Sequence, residues 1–199
     1  MTAQDTPGGT AIGTTQDTLD STAADVAALQ SAPGPAEGGG ISLCAGCSRL
    51  GRCHLGLTRE TLAADGAVVT ELVCGSEYEG GPEVAHGGWT AAAFDELLGH
   101  VLLLRQQLAV TGQLSVTFTK PVPINRPLRG RAWIERSEGR RRYVTAELRL
   151  YPSGELLATA SAVMVTRDWA HFERHRAWLA DVDARTVNAG TKTGDTTTA

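Results

Sequence analysis

"GPEVAHGGWTAAAFDELLGHVLLL", residues 81–104, is the stretch on which the fold turns. From Gly87 to about Leu108 it reads as one long helix. Leu97, Leu98, Val101, Leu102 and Leu104 recur at helical spacing, and no Pro interrupts them. Ala91, Ala92 and Ala93 are small enough to let another layer approach closely. Two features do not belong in an ordinary core helix. Asp95 shares its face with Gly88, Ala91, Ala92, Leu98, Gly99 and Leu102, so a carboxylate is expected on a packed surface. The helix also opens on His86-Gly87-Gly88.

On the N-terminal side, "AVVTELV" (67–73) reads as a strand, followed by the Gly-rich loop "CGSEYEGGP" (74–82). On the C-terminal side four strands are predicted. "QLSVTFTK" (113–120) alternates apolar and polar residues. "LRGRAWIER" (128–136), "RRYVTAELRLY" (141–151) and "ELLATASAVMVT" (155–166) are joined by short turns and form a meander. A last helix, "DWAHFERHRAWLADVD" (168–183), starts at the N-cap Asp168. One helix laid on one antiparallel sheet is an α+β design. Residues 1–40 and 184–199 are poor in large apolar side chains and are expected to be disordered, with at most a weak helix over Leu19–Gln30. The folded domain is expected over 41–183.

Composition narrows the function. The net charge is -4, which argues against a general nucleic-acid surface. Of the 18 basic residues, all but Lys120 and Lys192 are Arg, so local phosphate-binding clusters remain open. The most apolar stretch is broken by Asp95, Glu96 and His100 and is too short to span a membrane. The first twenty residues carry neither a basic start nor an apolar run, and four Cys without an export signal point to the reducing cytoplasm.

Chemistry concentrates around the helix. Asp95 is either a solvated helix position, as Glu96 is read to be, or a base or nucleophile set against an apolar wall. Helix N-termini present free N–H groups and the positive end of a dipole, and Gly lets a ligand come close. His86-Gly87-Gly88 can therefore polarise a carbonyl, with His86 read as a cap rather than a base. Gly87 and Asp95 lie eight residues apart, about 12 Å along a helix. Both cannot touch one reacting carbonyl, so two antiparallel copies of the helix in a twofold dimer are needed if both are catalytic.

The stretch 78–102 together with "QLSVTFTKPVPINRPLRGRAWI" (113–134) resembles the hotdog-fold acyl-CoA thioesterases of the phenylacetate-pathway (PaaI-like) superfamily. The matching features are Tyr78-Glu79-Gly80, His86-Gly87-Gly88, the acid Asp95 nine residues after the His, and the Pro121-Val122-Pro123 turn. The resemblance spans about residues 43–166. It implies an antiparallel sheet wrapped around one central helix, a homodimer or dimer of dimers, and hydrolysis of acyl-CoA without a cofactor. It implies that Gly87 N–H polarises the thioester carbonyl and that Asp95 of the partner chain activates water or attacks. It also implies that Thr111 positions the water. Gly80 departs from the pattern, since several members carry Asn or Gln there. That departure keeps open a catalytically silent acyl-CoA-binding protein, and a carrier-protein thioesterase also stays open. Gly88, Glu79 and Gly80 are expected near the substrate, with Trp89, Phe94 and Phe118 lining the acyl pocket. Lys120, Arg126 and Arg129, or Arg140, Arg141 and Arg142, are expected to meet the CoA phosphates. Finally, "CAGCSRLGRCH" offers Cys44, Cys47, Cys53 and His54. These are either zinc ligands or the Cys-x2-Cys turn with which many relatives begin. Cys74 is read as buried filler.

Overall fold

The computed structural model describes residues 41, 44, 47 and 49–191. The expected tail over 1–40, with its weak helix, and residues 192–199 lie outside the described residues.

The order of elements is β1 (Leu57–Leu62), β2 (Val68–Val73), a 3-10 turn (Ser76–Tyr78), β3 (Glu79–Gly81), β4 (Val84–Ala85), α1 (Gly87–Leu103), β5 (Ala109–Phe118), β6 (Pro127–Glu138), β7 (Arg141–Leu150), β8 (Leu156–Thr166) and α2 (Ala170–Thr191). Six strands form one antiparallel sheet in the order β1-β2-β6-β7-β8-β5, and β3 pairs with β4 separately. The meander β6-β7-β8 is the one expected from the turns. The helix α1 lies across the sheet, touching β2, β5, β6, β7 and β8. This is the hotdog arrangement, a curved antiparallel sheet around one helix.

The core is the interface between α1 and the sheet. Phe94, Leu97, Leu98, Val101 and Leu102 of α1 are buried together with Val68, Leu72, Leu128, Val144 and Leu148. Each such side chain contributes about 1.5–3 kcal/mol on burial, so the helix is held mainly by this one face.

Three boundaries differ from the sequence reading. The helix ends at Leu103 rather than Leu108, because the chain reverses through Gln106 at φ 57°. Arg105 seals this end, donating to the carbonyls of Val101 and Gly66. β5 consequently starts at Ala109, before the expected Gln113. β1 had no counterpart among the expected strands. It is an edge strand with a largely exposed outer half, so its apolar alternation is weak. The helix α2 starts just after Asp168, whose carboxylate accepts from the N–H of His171 at 3.1 Å, and it continues to Thr191, past the expected end at 183. No helix among the described residues is long and apolar enough to cross a membrane.

Candidate active site

The start of α1 is built by a network of backbone bonds. His86 N–H donates to the Tyr78 carbonyl at 2.7 Å, and Ala85 N–H to the Val122 carbonyl at 2.8 Å. These fix the loop and the Pro121-Val122-Pro123 turn around the first helical residue. His86 is the N-cap: its Nδ1 accepts from Gly88 N–H at 2.9 Å. This is the capping position expected for it from the sequence. A Cβ on Gly88 would fall 2.9 Å from that same Nδ1, so a side chain there would push the capping imidazole aside. Gly87 N–H meets no acceptor among the described residues. It lies at the positive end of the helix, with the Phe118 ring 3.6 Å from where a Cβ would stand.

Eight residues on, Asp95 is exposed in the single chain rather than packed as the apolar spacing suggested. Its neighbours along that face are mixed: Gly88 is exposed, Ala91, Ala92 and Gly99 are half-buried, and Leu98 and Leu102 are buried. Thr111 Oγ1 donates to Asp95 Oδ1 at 2.7 Å. A β-bulge makes this contact possible. The register of β5 on β8 shifts between Thr111 and Gln113, and such bulges re-aim side chains. The Thr111 hydroxyl also lies 3.5 Å from Met164 Sδ.

The structure thus brings Asp95 and Thr111 together, and His86, Gly87 and Gly88 together. It keeps the two groups apart within one chain, at opposite ends of a span of about two helical turns. Other expected site residues take different places. Glu79 Oε1 accepts from Glu83 N–H at 2.6 Å, holding the tight β3–β4 turn where Glu83 sits at φ 60°. Gly80 lies against the backbone of His86, where a Cβ would come within 2.7 Å of the His86 Cα. No amide side chain fits there without moving the cap. Phe94 is fully buried and belongs to the core rather than an open pocket. Trp89 is also buried, yet its indole N–H finds no acceptor among the described residues. Phe118 is 54% exposed, beside Gly87, and remains available to a ligand. Lys120 pairs with Glu155, while Arg129 lies 3.9 Å from Glu71 and stacks over Tyr151. Arg126 is exposed with no acidic partner among the described residues.

Sequence reasoning missed a buried ionic cluster on α1. His100 Nδ1 contacts Glu60 Oε1, and His100 Nε2 lies 3.0 Å from Glu96 Oε2. Glu60 and His100 are each 5% exposed. Burial alone would push the imidazole down, but hydrogen bonds to Glu60 and Glu96 outweigh it and hold His100 up at about 9. His100 is therefore an imidazolium at neutral pH, and it ties α1 to the edge strand β1. This corrects the reading of Glu96 as a merely solvated position. The signal was present in the Glu96/His100 spacing on an apolar helix, but the third partner needs β1 to be recognised.

Around the cysteines, Cys47 and Cys53 are buried and Cys44 is exposed, with no disulfide among them. No group of three or more potential ligands among the described residues is placed to hold a metal. Cys74 is buried as expected, and burial pushes its thiol up to about 12.

Comparisons agree with this architecture. The thioesterase superfamily model matches residues 83–157, from the turn before α1 into β8. Among solved structures, the protein smu.793 of Streptococcus mutans UA159, bound to acetyl CoA, is 18% identical at a TM-score of 0.53, covering 58% of this chain and 92% of its own. A thioesterase superfamily protein matches at 20% identity and a TM-score of 0.53, covering 80% of this chain and 86% of its own. A hypothetical thioesterase of Streptococcus pneumoniae TIGR4 with coenzyme A matches at 18% identity and a TM-score of 0.50, covering 54% and 84%. No curated protein matches by sequence. With the helix and the sheet order in agreement with these solved structures, the chain has the hotdog fold, and over residues 83–157 it is similar to the thioesterase superfamily.

Proposed function

We infer that the protein hydrolyses an acyl-CoA thioester to the free acid and CoA. The Asp95–Thr111 pair carries the reading. Thr111 occupies Asp95 Oδ1, so Oδ2 is left to accept from a water or to attack the carbonyl. The thioester carbonyl is polarised by Gly87 N–H at the helix start, where developing negative charge meets the helix dipole. Since the two groups lie about 12 Å apart on one helix, the working site combines Asp95 of one chain with Gly87 of a second copy, as in a homodimer or a dimer of dimers. Attack forms a tetrahedral oxyanion; its collapse expels the CoA thiolate, which takes up a proton. If Asp95 attacks directly, water then hydrolyses the anhydride. No cofactor enters the chemistry.

Three further features support the reading. Solved proteins of this fold are bound to coenzyme A and acetyl CoA. Arg126, Arg140 and Arg141 are exposed, with no acidic partner among the described residues, and are available to meet a phosphate. Phe118, exposed beside Gly87, offers an apolar surface for the acyl group. The acid and its hydroxyl partner face solvent in a soluble-type domain, which suits a diffusible substrate in the cytoplasm. A panel of acyl-CoA thioesters with a thiol-trapping dye tests this directly. Turnover of at least one member, lost in Asp95→Asn, is expected; tight binding without turnover would establish the silent acyl-CoA-binding reading, which Gly80 favours by leaving no amide side chain beside His86. Running carrier-protein thioesters beside the CoA panel separates the two donor classes.

A further inference from the structure

Outside the active site, the sulfur cluster at the start of the domain is the feature the proposed reaction leaves unused. Cys47 N–H donates to Cys44 Sγ at 3.5 Å, and His54 N–H donates to Cys47 Sγ at 3.3 Å. The Cys47 thiol interacts with both the Cys44 and the Cys53 side chains. The three cysteines are therefore neighbours, Cys44 exposed and Cys47 and Cys53 buried. Burial pushes the Cys53 thiol up to about 11 and the Cys47 thiol up as well, so the inner two resist ionisation.

The cluster is mechanically tied to the start of α1. His54 follows Cys53 directly, and its carbonyl accepts from Tyr78 Oη at 3.2 Å. The Tyr78 carbonyl in turn accepts from the N–H of His86, the cap of α1. Beside this path lies a cavity of about 450 Å³, lined among others by Cys53, His54, Gly75, Ser76 and Asn125. It gives the 52–56 segment room to shift.

We propose that Cys44 and Cys47 form a reversible disulfide, and that its closure is relayed through His54 and Tyr78 to the His86-Gly87-Gly88 turn. The oxidant is a low-molecular-weight disulfide. The Cys44 thiolate attacks one of its sulfurs and releases one small thiolate, leaving a mixed disulfide on Cys44. Cys47, three residues away and already in contact, then attacks the Cys44 sulfur and releases the second small thiolate. Two protein thiols are oxidised and one small disulfide is reduced to two thiols, which take up the two protons lost by the protein. Cys44 is the attacking sulfur because it alone of the three is exposed, with the Cys47 N–H directed at it. A pair of this kind suits a reducing compartment, where disulfides are transient and respond to redox state. Cys53 stays a thiol and anchors the moving segment in the core.

The test uses the full chain and oxidised glutathione, independent of any thioesterase assay. After quenching with an alkylating agent, intact mass should show two of the four thiols lost with no retained glutathione. Peptide mapping should link Cys44 to Cys47, and dithiothreitol should restore all four. Cys44→Ser should stop the loss, and Cys74→Ser should not alter it. Oxidation should also change amide hydrogen exchange across residues 54–88 by severalfold, and Tyr78→Phe should blunt the change at 86–88. Four thiols surviving in strongly oxidising glutathione buffer would overturn the proposal. So would a stable glutathione adduct on Cys44, a bond from Cys47 to Cys53, or a bond between two chains. Exchange that is identical in the reduced and oxidised proteins would overturn the relay.

Discussion

A carboxylate with one oxygen occupied by a hydroxyl is oriented, and the Thr111 bond orients Asp95 in this way. Asp95→Asn is expected to keep the fold while lowering kcat at least about a hundredfold, the scale for losing a general base. Steady-state turnover on the best thioester measures it, and a mutant above half of wild-type kcat would remove Asp95 from the chemistry. Thr111→Val keeps the shape and deletes the donor, so a smaller loss, about tenfold, is expected, with kcat moving more than KM. The neighbouring Glu96 is unsuitable as a neutral control, since it holds His100. Exposed Glu135→Gln serves instead. His100 itself yields a pH prediction. Its proton is held more tightly in the folded chain than in the unfolded one, about 9 against 6.5. The stabilisation is therefore fully present below about 6.5, declines as pH rises above it, and is gone once pH passes about 9. Melting temperature should fall across that window, and His100→Gln should flatten the fall while lowering stability by about 3–5 kcal/mol at pH 6. A wild-type melting temperature constant from pH 6 to 10 would show that the cluster does not titrate there. Asp95 stood out from the sequence because it interrupts an apolar face. Glu60 did not, because its burial depends on a strand whose polar outer half hides it.

Among the elements, α1 was legible because a long apolar period and a Gly-Gly start are both local signals. Its end was not, because Gln106 turns left-handed without a Gly or Pro to announce it. The bulge that aims Thr111 is likewise a property of pairing with β8, which no local pattern records. The opposite case is α2. It is long, and its bounds were partly legible from Asp168, yet among the described residues it has no substantial packing against α1 or the sheet. Trp178 on it and Trp169 just before it are more than half exposed. Deleting residues 168–199 is expected to shift the melting temperature by less than about 3 °C, the equivalent of roughly 1 kcal/mol for a domain of this size. Calorimetry on the shortened chain checks this, and a drop of about 10 °C or more would show that α2 docks on the domain.

At the scale of the molecule, the separation of Gly87 from Asp95 makes a complementation experiment decisive. An Asp95→Asn chain and a Gly87→Pro chain each lack half of the proposed site; Pro removes the N–H and is tolerated in a first helical turn. If the halves meet across a twofold axis, a mixed dimer has one doubly damaged site and one intact site. Equal random pairing makes half of the dimers mixed, so activity should recover to about a quarter of wild type. Mixtures that stay inactive despite proven subunit exchange would place both groups in one chain's site. The sheet order has a further consequence, for how activity is acquired. Thr111 stands on β5 at one edge of the sheet, and Glu60 on β1 at the other, and both reach the same helix. The strand that follows α1 in sequence is thus placed last, beyond the whole meander. Such long-range pairing folds slowly, on the order of milliseconds to seconds. No partly assembled sheet can hold α1 from both edges, so catalysis should return only with the final phase of refolding. Turnover is then a clock for completion, and a nascent chain still short of β8 is silent.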